Sequence, residues 1–412
     1  MIEMIRFLKN LKGNAKTCLS LDPVFAIPFN MYLPFVTLYM FGIGLRDVEI
    51  GILLSIATVA NVFMALLGGV IVDKFGRRKT LIVGDFVAWS VPVLIWAFSQ
   101  NFWWFLAAAI FNSVAHIATV AFECAWIEDL EERKLSRTIN WFFILWHMTV
   151  LFALVSGFFV ERYSVVPVMR ALYIFAFILM NIRLVVLNFW LKETTRGRER
   201  MEAAKGKSLW TLLSEYKEAI DKMKQSKDMI RMLFLLPMVH IFIMIQSTFF
   251  ALYATQNLGI GMGFIAYFPV LRSAIALFFF FVLQSRMYKF KIQYVMAAAI
   301  VLYIAGHGVL LGAPYQNFTW LIVYAILDAF AAAMFLPRFE TQLFSSLDNK
   351  ERARCRAVIM VVTLALASPF GALAGFLSDM DRRFPFMLNI LLFVCMMFFV
   401  IHKKKEGTVK GA

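Results

Sequence analysis

The sequence predicts an all-α integral membrane protein with twelve transmembrane helices in two six-helix halves. Three observations carry this prediction: the composition, the spacing of the apolar runs and the distribution of the basic residues. Of the 412 residues, 61% are hydrophobic and 16% are charged, whereas a water-soluble domain averages roughly 45–50% apolar and about 25% charged residues. Such a chain could not solvate its own surface, which excludes a soluble enzyme, a secreted disulfide scaffold and a disordered protein.

The apolar residues form runs long enough to cross a membrane. A helix crosses about 30 Å of hydrocarbon with roughly 20 residues. The first run has no small-residue cleavage pattern after it, so we expect a retained helix and no removable signal peptide. We predict membrane helices at residues 24–45, 50–72, 80–98, 103–127, 138–160, 168–190, 232–254, 263–283, 293–311, 319–344, 355–377 and 384–402.

The basic residues cluster in every second loop between these runs, and they give the chain a net charge of +15. By the positive-inside rule, this pattern places both termini and the long loop after the sixth run in the cytoplasm. The excess charge therefore indicates topology, and we expect no nucleic-acid partner. We predict a multi-pass protein of the plasma (inner) membrane.

One long polar stretch divides the chain into two halves. It contains apolar residues at helical spacing, among them Leu209, Leu213 and Tyr216, which predict an amphipathic surface helix. The resulting domains are a cytoplasmic amphipathic N-terminus at 1–23, the N-terminal half at 24–190, the cytoplasmic linker at 191–231, the C-terminal half at 232–402 and a basic cytoplasmic tail at 403–412.

The two halves share a short pattern after an even-numbered run. Three residues of the first half fall on identical residues of the second, and the pairs are Glu123 with Glu340, Leu130 with Leu347 and Arg137 with Arg354. Two parallel repeats with a binding site at their interface are a known plan of membrane transporters.

The loop between the second and third runs carries the most specific motif. It reads Gly69-Val-Ile-Val-Asp73-Lys-Phe-Gly76-Arg77-Arg78-Lys79-Thr-Leu81. This segment resembles the signature loop of the major facilitator superfamily and stands where that family carries it. Supporting resemblances are the segments Gly44-Leu-Arg-Asp-Val-Glu-Ile-Gly51 and Ser368-Pro-Phe-Gly371-Ala-Leu-Ala-Gly375.

The resemblance implies that this loop latches the two halves together on the cytoplasmic side in the outward-open state. From the residues alone, Gly76 can adopt the positive φ of a tight loop, and Asp73 can pair with a neighbouring arginine. A basic loop that only sets topology is the alternative. We assign the latch role to five residues of the loop and to one further partner in the fourth helix. They are Gly69, Asp73, Gly76, Arg77, Arg78 and Glu123.

The sequence departs from the proton-coupled drug exporters of this family. Those proteins usually carry an arginine in the fourth helix and a G-x-x-x-G-P-x-x-G-G run in the fifth. Here the fourth run has no arginine, and the fifth contains only Gly157 of that pattern. A multidrug or amphiphile exporter is therefore the weaker alternative.

Ionisable residues inside a span are costly, so they usually line an aqueous cavity or form pairs. We place Asp328 near the middle of the tenth helix, with Tyr324 on the same face. Asp328 is either a substrate or proton ligand, or a structural partner of Arg183 or Arg272. Each arginine, in turn, could bind an anionic substrate or neutralise a carboxylate.

Two intramembrane histidines, His116 and His240, are candidates for proton relay because histidine titrates near neutrality. A buried, hydrogen-bonded histidine is the alternative for each of them. His116 shares a helix face with Asn112. In the family that the chain resembles, helices one, four, seven and ten line the central cavity. This resemblance implies three further cavity residues on helices one and seven, which are Asn30, Tyr32 and Gln246.

The sequence contains no phosphate loop, zinc-protease motif or cysteine cluster, so we expect no enzyme, catalytic residue, metal or cofactor. We predict a secondary active transporter that moves a small organic solute by alternating access with proton coupling. Its expected partners are a small-molecule substrate, protons and the lipid bilayer, and the chain is expected to be a monomer. A non-transporting receptor or a lipid-modifying enzyme is the alternative from another functional class.

Overall fold

The computed structural model describes residues 7, 10–206, 227–287, 289–345 and 352–401, and all regular secondary structure in them is helical. Twelve helices in this part of the chain are long and apolar enough to cross a membrane. The predicted fold class is confirmed. The helices are α1 (Gly13–Gly42), α2 (Asp47–Phe75), α3 (Arg77–Phe98), α4 (Phe102–Ile127), α5 (Glu132–Tyr163), α6 (Val165–Trp190), α7 (Arg231–Asn257), α8 (Met262–Leu283), α9 (Ile292–Leu311), α10 (Phe318–Leu343), α11 (Val358–Met380) and α12 (Phe384–Ile401).

The first helix is longer than its apolar run indicates. α1 begins at Gly13, whereas the apolar pattern begins at Val24. The additional turns are helical because Cys18 and Leu19 are fully buried in the core of the first half. Burial of one face stabilises a helix whose other face is polar.

The polar linker contains one described helix, Thr195–Ala204, which we call the linker helix. Thr194 caps it, since the threonine Oγ1 accepts a hydrogen bond from the backbone N–H of Gly197 at 2.9 Å. The amphipathic helix predicted around residues 209–220 lies outside the described residues, as does the basic tail.

Because successive helices alternate in direction, the bundle has two faces. The termini face carries the start of α1, the α2–α3 loop and the linker helix. The opposite face carries the α1–α2, α5–α6, α7–α8 and α11–α12 loops. The charge pattern assigns the termini face to the cytoplasm, and that assignment stays a prediction.

Toward the opposite face, α2 of the first half packs directly on α11 of the second half through glycines. A Cβ atom added to Gly51 would lie 2.5 Å from the carbonyl oxygen of Gly371 and 2.6 Å from Cα of Gly375. Beside this contact, the Ser55 hydroxyl accepts a hydrogen bond of 2.7 Å from the backbone N–H of Ala372. Small residues let the two backbones approach this closely.

An ionic contact reinforces the same seam. Asp47, which is 2% exposed, accepts hydrogen bonds from Arg382 Nε at 2.8 Å and from the Ser378 hydroxyl at 2.7 Å. The Arg382 guanidinium also lies over the Phe41 ring of α1, 5.3 Å from its centroid. Both segments that resemble the family outside the signature loop, at 44–51 and 368–375, therefore take part in this seam.

A second glycine contact joins α5 to α8 near the opposite face. A Cβ atom on Gly157 would lie 2.7 Å from the carbonyl oxygen of Gly263. The Glu161 carboxylate accepts a hydrogen bond of 2.8 Å from the backbone N–H of Gly263. Two backbone-to-backbone contacts and one ion pair thus hold the halves together at this face.

We expect the Gly51→Ala substitution to open the opposite face, because the added methyl group overlaps the α11 backbone. Overpacking of this kind costs about 1–3 kcal/mol. Spin labels on Asn101→Cys and Asp379→Cys, in a chain whose four native cysteines are replaced, should move to longer distances in double electron–electron resonance. Gly308→Ala is the matched control, since a Cβ at Gly308 meets nothing within 4 Å. Equal distance distributions in both variants would contradict a tight seam.

Candidate functional site

The signature loop lies on the termini face, where α2 ends at Phe75 and α3 begins at Arg77. Gly76 joins them with a φ of 84°, a conformation that L side chains rarely adopt. A Cβ atom at Gly76 would lie 2.6 Å from Glu193 Oε2 and 2.7 Å from Met201 Sδ. Glycine is therefore required both by the turn and by the linker segment packed against it.

The Arg77 side chain is buried beneath this turn and binds Glu128 at the end of α4. Arg77 Nε lies 3.0 Å from Glu128 Oε2, and Arg77 Nη2 lies 2.9 Å from Glu128 Oε1. This is the two-bond fork geometry in which arginine binds a carboxylate strongly. The Asp73 carboxylate, which is more exposed, lies 3.0 Å from the same Nη2 atom.

Glu193, between α6 and the linker helix, caps the start of α3. Its two carboxylate oxygens accept hydrogen bonds from the backbone N–H groups of Arg77 at 2.9 Å and Arg78 at 3.0 Å. A carboxylate at a helix N-terminus satisfies free N–H groups and the helix dipole. The Arg78 side chain donates to the carbonyl oxygen of Asn188 at 2.6 Å.

These partners of the signature loop belong to the first half and its linker. The α4 carboxylate that binds Arg77 is Glu128, whereas Glu123, the residue predicted as a further partner of the loop, is an exposed residue five positions earlier in the chain. Gly69 is half-buried within α2. Neither Glu128 nor Glu193 was among the sequence candidates, because a basic loop does not indicate which of several nearby acids it will meet.

In the second half, the predicted midmembrane aspartate forms an ion pair across two helices. Asp328 Oδ2 on α10 lies 3.6 Å from Arg272 Nη1 on α8. Gln246 Nε2 on α7 donates a short hydrogen bond to the Tyr324 hydroxyl, one turn from Asp328. In the described chain, Asp328 Oδ1 and Gln246 Oε1 have no hydrogen-bond partner. The cluster therefore keeps two buried acceptor atoms available.

The arginine side of this pair faces the first half. Arg272 retains 40% of its side-chain surface, whereas Asp328 retains 7%. The neighbouring residue of α8, Ser273, is hydrogen-bonded to His147 of α5, with 3.0 Å between the serine Oγ and the histidine Nδ1. The ion pair is thus buried at its acidic end and accessible at its basic end, next to the boundary between the halves.

The two favoured histidines also meet at this boundary. His116 lies on α4 of the first half and His240 on α7 of the second, and both are half-buried. They are close enough to interact electrostatically. One titratable imidazole from each half therefore lies near this boundary.

The candidates from α1, with Asn112 of α4, contact residues of their own half. Asn30 Nδ2 donates to Thr149 Oγ1 at 3.0 Å, and Asn112 Nδ2 donates to the carbonyl oxygen of Ala88 at 2.8 Å. The Tyr32 ring packs on Tyr173, with 5.1 Å between the centroids. In this structure these three side chains join helices within the first half, and their place in a cavity between the halves stays a prediction.

Sequence reasoning missed the carboxylate that binds the second intramembrane arginine. Arg183 of α6 was considered as a partner of Asp328, but its Nη1 lies 2.6 Å from Asp85 Oδ2 of α3. Asp85 stands inside the predicted third span, so its position alone was a signal that it would be paired. The structure therefore leaves Arg272 as the cation that binds Asp328.

Comparison with known proteins agrees with this architecture. The model of the MFS_1 like family matches residues 25–399. No curated protein matches the sequence.

Solved structures share the fold at low sequence identity. A crystal structure of a mutant of the nucleoside transporter NupG superposes with a TM-score of 0.72 at 17% identity, covering 93% of this chain and 99% of that chain. A POT family transporter in complex with 5-aminolevulinic acid gives 0.71 at 11% identity, with 94% and 96% covered. These similarities show a common fold.

We expect unequal effects from removing the two acids that contact Arg77. Glu128→Gln leaves the buried guanidinium without its two-bond partner, which should cost about 3–5 kcal/mol. Asp73→Asn removes a carboxylate that is 37% exposed and should cost less than about 1 kcal/mol. Thermal unfolding of the purified variants in one detergent provides the measurement. A larger loss in the Asp73 variant would contradict the central position of Glu128.

Proposed function

Since the chain belongs to the MFS_1 like family, we propose that it is a secondary active transporter that moves a small organic solute by alternating access. The observation that carries the proposal is the asymmetry of the contacts between the halves. At the opposite face, glycine contacts and the Asp47–Arg382 pair join α2 to α11. At the termini face, the signature loop is bound to its own half through Glu128 and Glu193.

This asymmetry supports rocking of two rigid units. The seam at the opposite face consists of backbone contacts and a few polar bonds, which can separate without unfolding a helix. Each half is held internally by its own buried pairs, Arg77–Glu128 in the first and Arg272–Asp328 in the second. Rigid-body movement about a central site is the general mechanism of alternating access.

We place the substrate between the halves, against Arg272, Asp328, Gln246 and Tyr324. Arg272 offers an accessible cation, and the unpartnered Asp328 and Gln246 oxygens offer buried acceptors. A small solute with an anionic group and hydrogen-bond donors would complement both. The solved neighbours include a nucleoside transporter and a POT family transporter that holds 5-aminolevulinic acid, which supports a small polar solute over an amphiphile.

Proton coupling follows from the titratable groups beside that site. Protonation of Asp328 would cancel its attraction for Arg272, and protonation of both His116 and His240 would set like charges against each other across the halves. Both events change the energy of one arrangement of the halves relative to another, which is what coupling requires.

In the other conformation we propose that the signature loop becomes the latch between the halves. Asp73 is suited to this role because it is the exposed member of the Arg77 cluster. The termini face is then cytoplasmic, as the charge pattern predicts, in a plasma (inner) membrane.

The first test is substrate-driven flux. A thermal-shift screen of metabolites on the purified protein supplies a ligand, and uptake of that ligand into proteoliposomes is measured with and without an imposed pH gradient. We expect the gradient to accelerate uptake and Asp328→Asn to lower the gradient-driven rate by about tenfold or more, which corresponds to about 1.4 kcal/mol. Asp379→Asn, at an exposed site, is the control. An uptake rate that depends on neither the pH gradient nor the membrane potential would refute the proposed proton coupling.

The second test addresses the latch. Asp73→Asn should lower the transport rate while leaving ligand binding at equilibrium close to that of the unchanged protein, because Asp73 lies at the termini face and not at the proposed site. Rate and binding are measured on the same preparation. An unchanged rate would refute the latch.

A further inference from the structure

A second buried ionic cluster lies in the first half, outside the site proposed above. It joins α1, α3 and α6 at similar depths from the termini face, roughly 10–14 Å along each helix. Its best-defined contact is the Asp85–Arg183 pair, with 2.6 Å between Asp85 Oδ2 and Arg183 Nη1. Asp85 directly precedes a π-helical turn, Phe86–Ser90, a feature that is frequent at functional sites.

The surroundings of Arg183 are apolar on two sides. The rings of Phe25 and Phe122 lie 5.2 Å and 5.5 Å from its guanidinium carbon. Arg183 is 5% exposed, and its Nε has no hydrogen-bond partner in the part of the chain that the structure describes. One donor of a deeply buried cation is therefore left over after Asp85 is bound.

The remaining charged member of the cluster is Asp22 on α1. Asp22 is 8% exposed and stands one turn before Phe25, whose ring lies 5.2 Å from the Arg183 guanidinium carbon, so the carboxylate is within electrostatic range of Arg183. Among the described residues, no hydrogen bond or ion pair reaches its carboxylate. A second acid thus shares one arginine with Asp85, without direct contact.

The groups that face Asp22 can be named from each helix. Its own helix contributes the Cys18 thiol, which is fully buried. α6 contributes Arg183, and Asp85 of α3 lies on the other side of that arginine, where it acts on Arg183 and on the Cys18 thiol. The neighbouring α4 contributes the Phe122 ring. In the described chain, this set contains a single cation.

The cluster contains two carboxyl groups and one arginine, so its net charge depends on whether both acids are ionised. Arginine does not deprotonate in proteins, so Arg183 neutralises one carboxylate. A second ionised carboxylate would leave a net negative charge in a low-dielectric interior, and the penalty for an unpaired buried ion is several kcal/mol. Binding a cation, of which a proton is the smallest, removes that penalty.

We propose that Asp22, which shares Arg183 with Asp85, is a proton-binding site of the first half. Its carboxylate oxygen takes one proton to form a neutral carboxylic acid, and it returns that proton when water reaches it. A proton suits the site better than a metal cation, because a metal ion would lie against the positive guanidinium and hard cations require several oxygen ligands. The use of this proton in transport rests on the proposed function, whereas its binding does not.

The site would give each half its own titratable group. The Arg272–Asp328 pair belongs to α8 and α10, whereas Asp22 and its neighbours belong to α1, α3 and α6. Proton binding at Asp22 changes the charge inside the first half without contact with the substrate side of the second half. This separates the proton from the solute in space.

The test is infrared difference spectroscopy of the purified protein in lipid bilayers, which needs no substrate. A pH change should produce the C=O stretching band of a protonated carboxylic acid. We expect Asp22→Asn to lose one such band, Asp22→Glu to retain it at a shifted position, and Asp379→Asn, at an exposed site, to match the unchanged protein. Asp328→Asn, measured in parallel, separates the acid of the second half from that of the first.

Two results would overturn the proposal. The first is a spectrum of Asp22→Asn identical to that of the unchanged protein while Asp22→Glu is also unchanged. The second is absence of the band together with a sodium-dependent rise in melting temperature that Asp22→Asn removes, which would make the occupant a metal cation. Neither result depends on the flux measurements, so proton binding and transport can fail separately.

Discussion

The free-energy cost of placing a charged side chain in hydrocarbon determines which helices of this protein pack together. A charged side chain inside a membrane survives only where a partner or water compensates its lost hydration. The described ion pairs of the spans each join two helices: Asp85 and Arg183 join α3 to α6, Arg77 joins α3 to α4, Arg272 joins α8 to α10, and Asp47 joins α2 to the end of α11. Helix packing follows these pairs as much as it follows apolar contact, because lipid tails compete with apolar contacts but not with ionic ones.

The sequence predicted the fold because the membrane imposes simple rules of length and charge. Twelve apolar runs of the required length left little freedom in the number of helices, and the polar linker separated the halves. The ends of helices were harder to predict. α1 starts at Gly13 because one face of a polar segment is buried, and no hydropathy pattern records what a segment packs against.

The site was only partly predictable for the same reason. Asp328, Arg272 and His240 could be selected as midmembrane ionisable groups, but their partners depend on which helices are neighbours. Thus Arg183 was a candidate partner of Asp328, whereas α3 brings Asp85 to it. Likewise, the signature loop identified Arg77 but not Glu128 or Glu193, since α4 and α6 approach that loop only in the folded bundle.

The glycine seam between α2 and α11 has a mechanical consequence. Where Gly51 meets Gly371 and Gly375, backbone atoms touch directly, and the side chain beside them is the small one of Ser55. Interlocked side chains would have to change rotamer whenever the surfaces part, and each such change adds a barrier. Glycine has no side chain, so the contacting surfaces have few rotamers that must change when the helices separate. Such a contact can release and re-form with few changes of side-chain rotamer where the glycines meet.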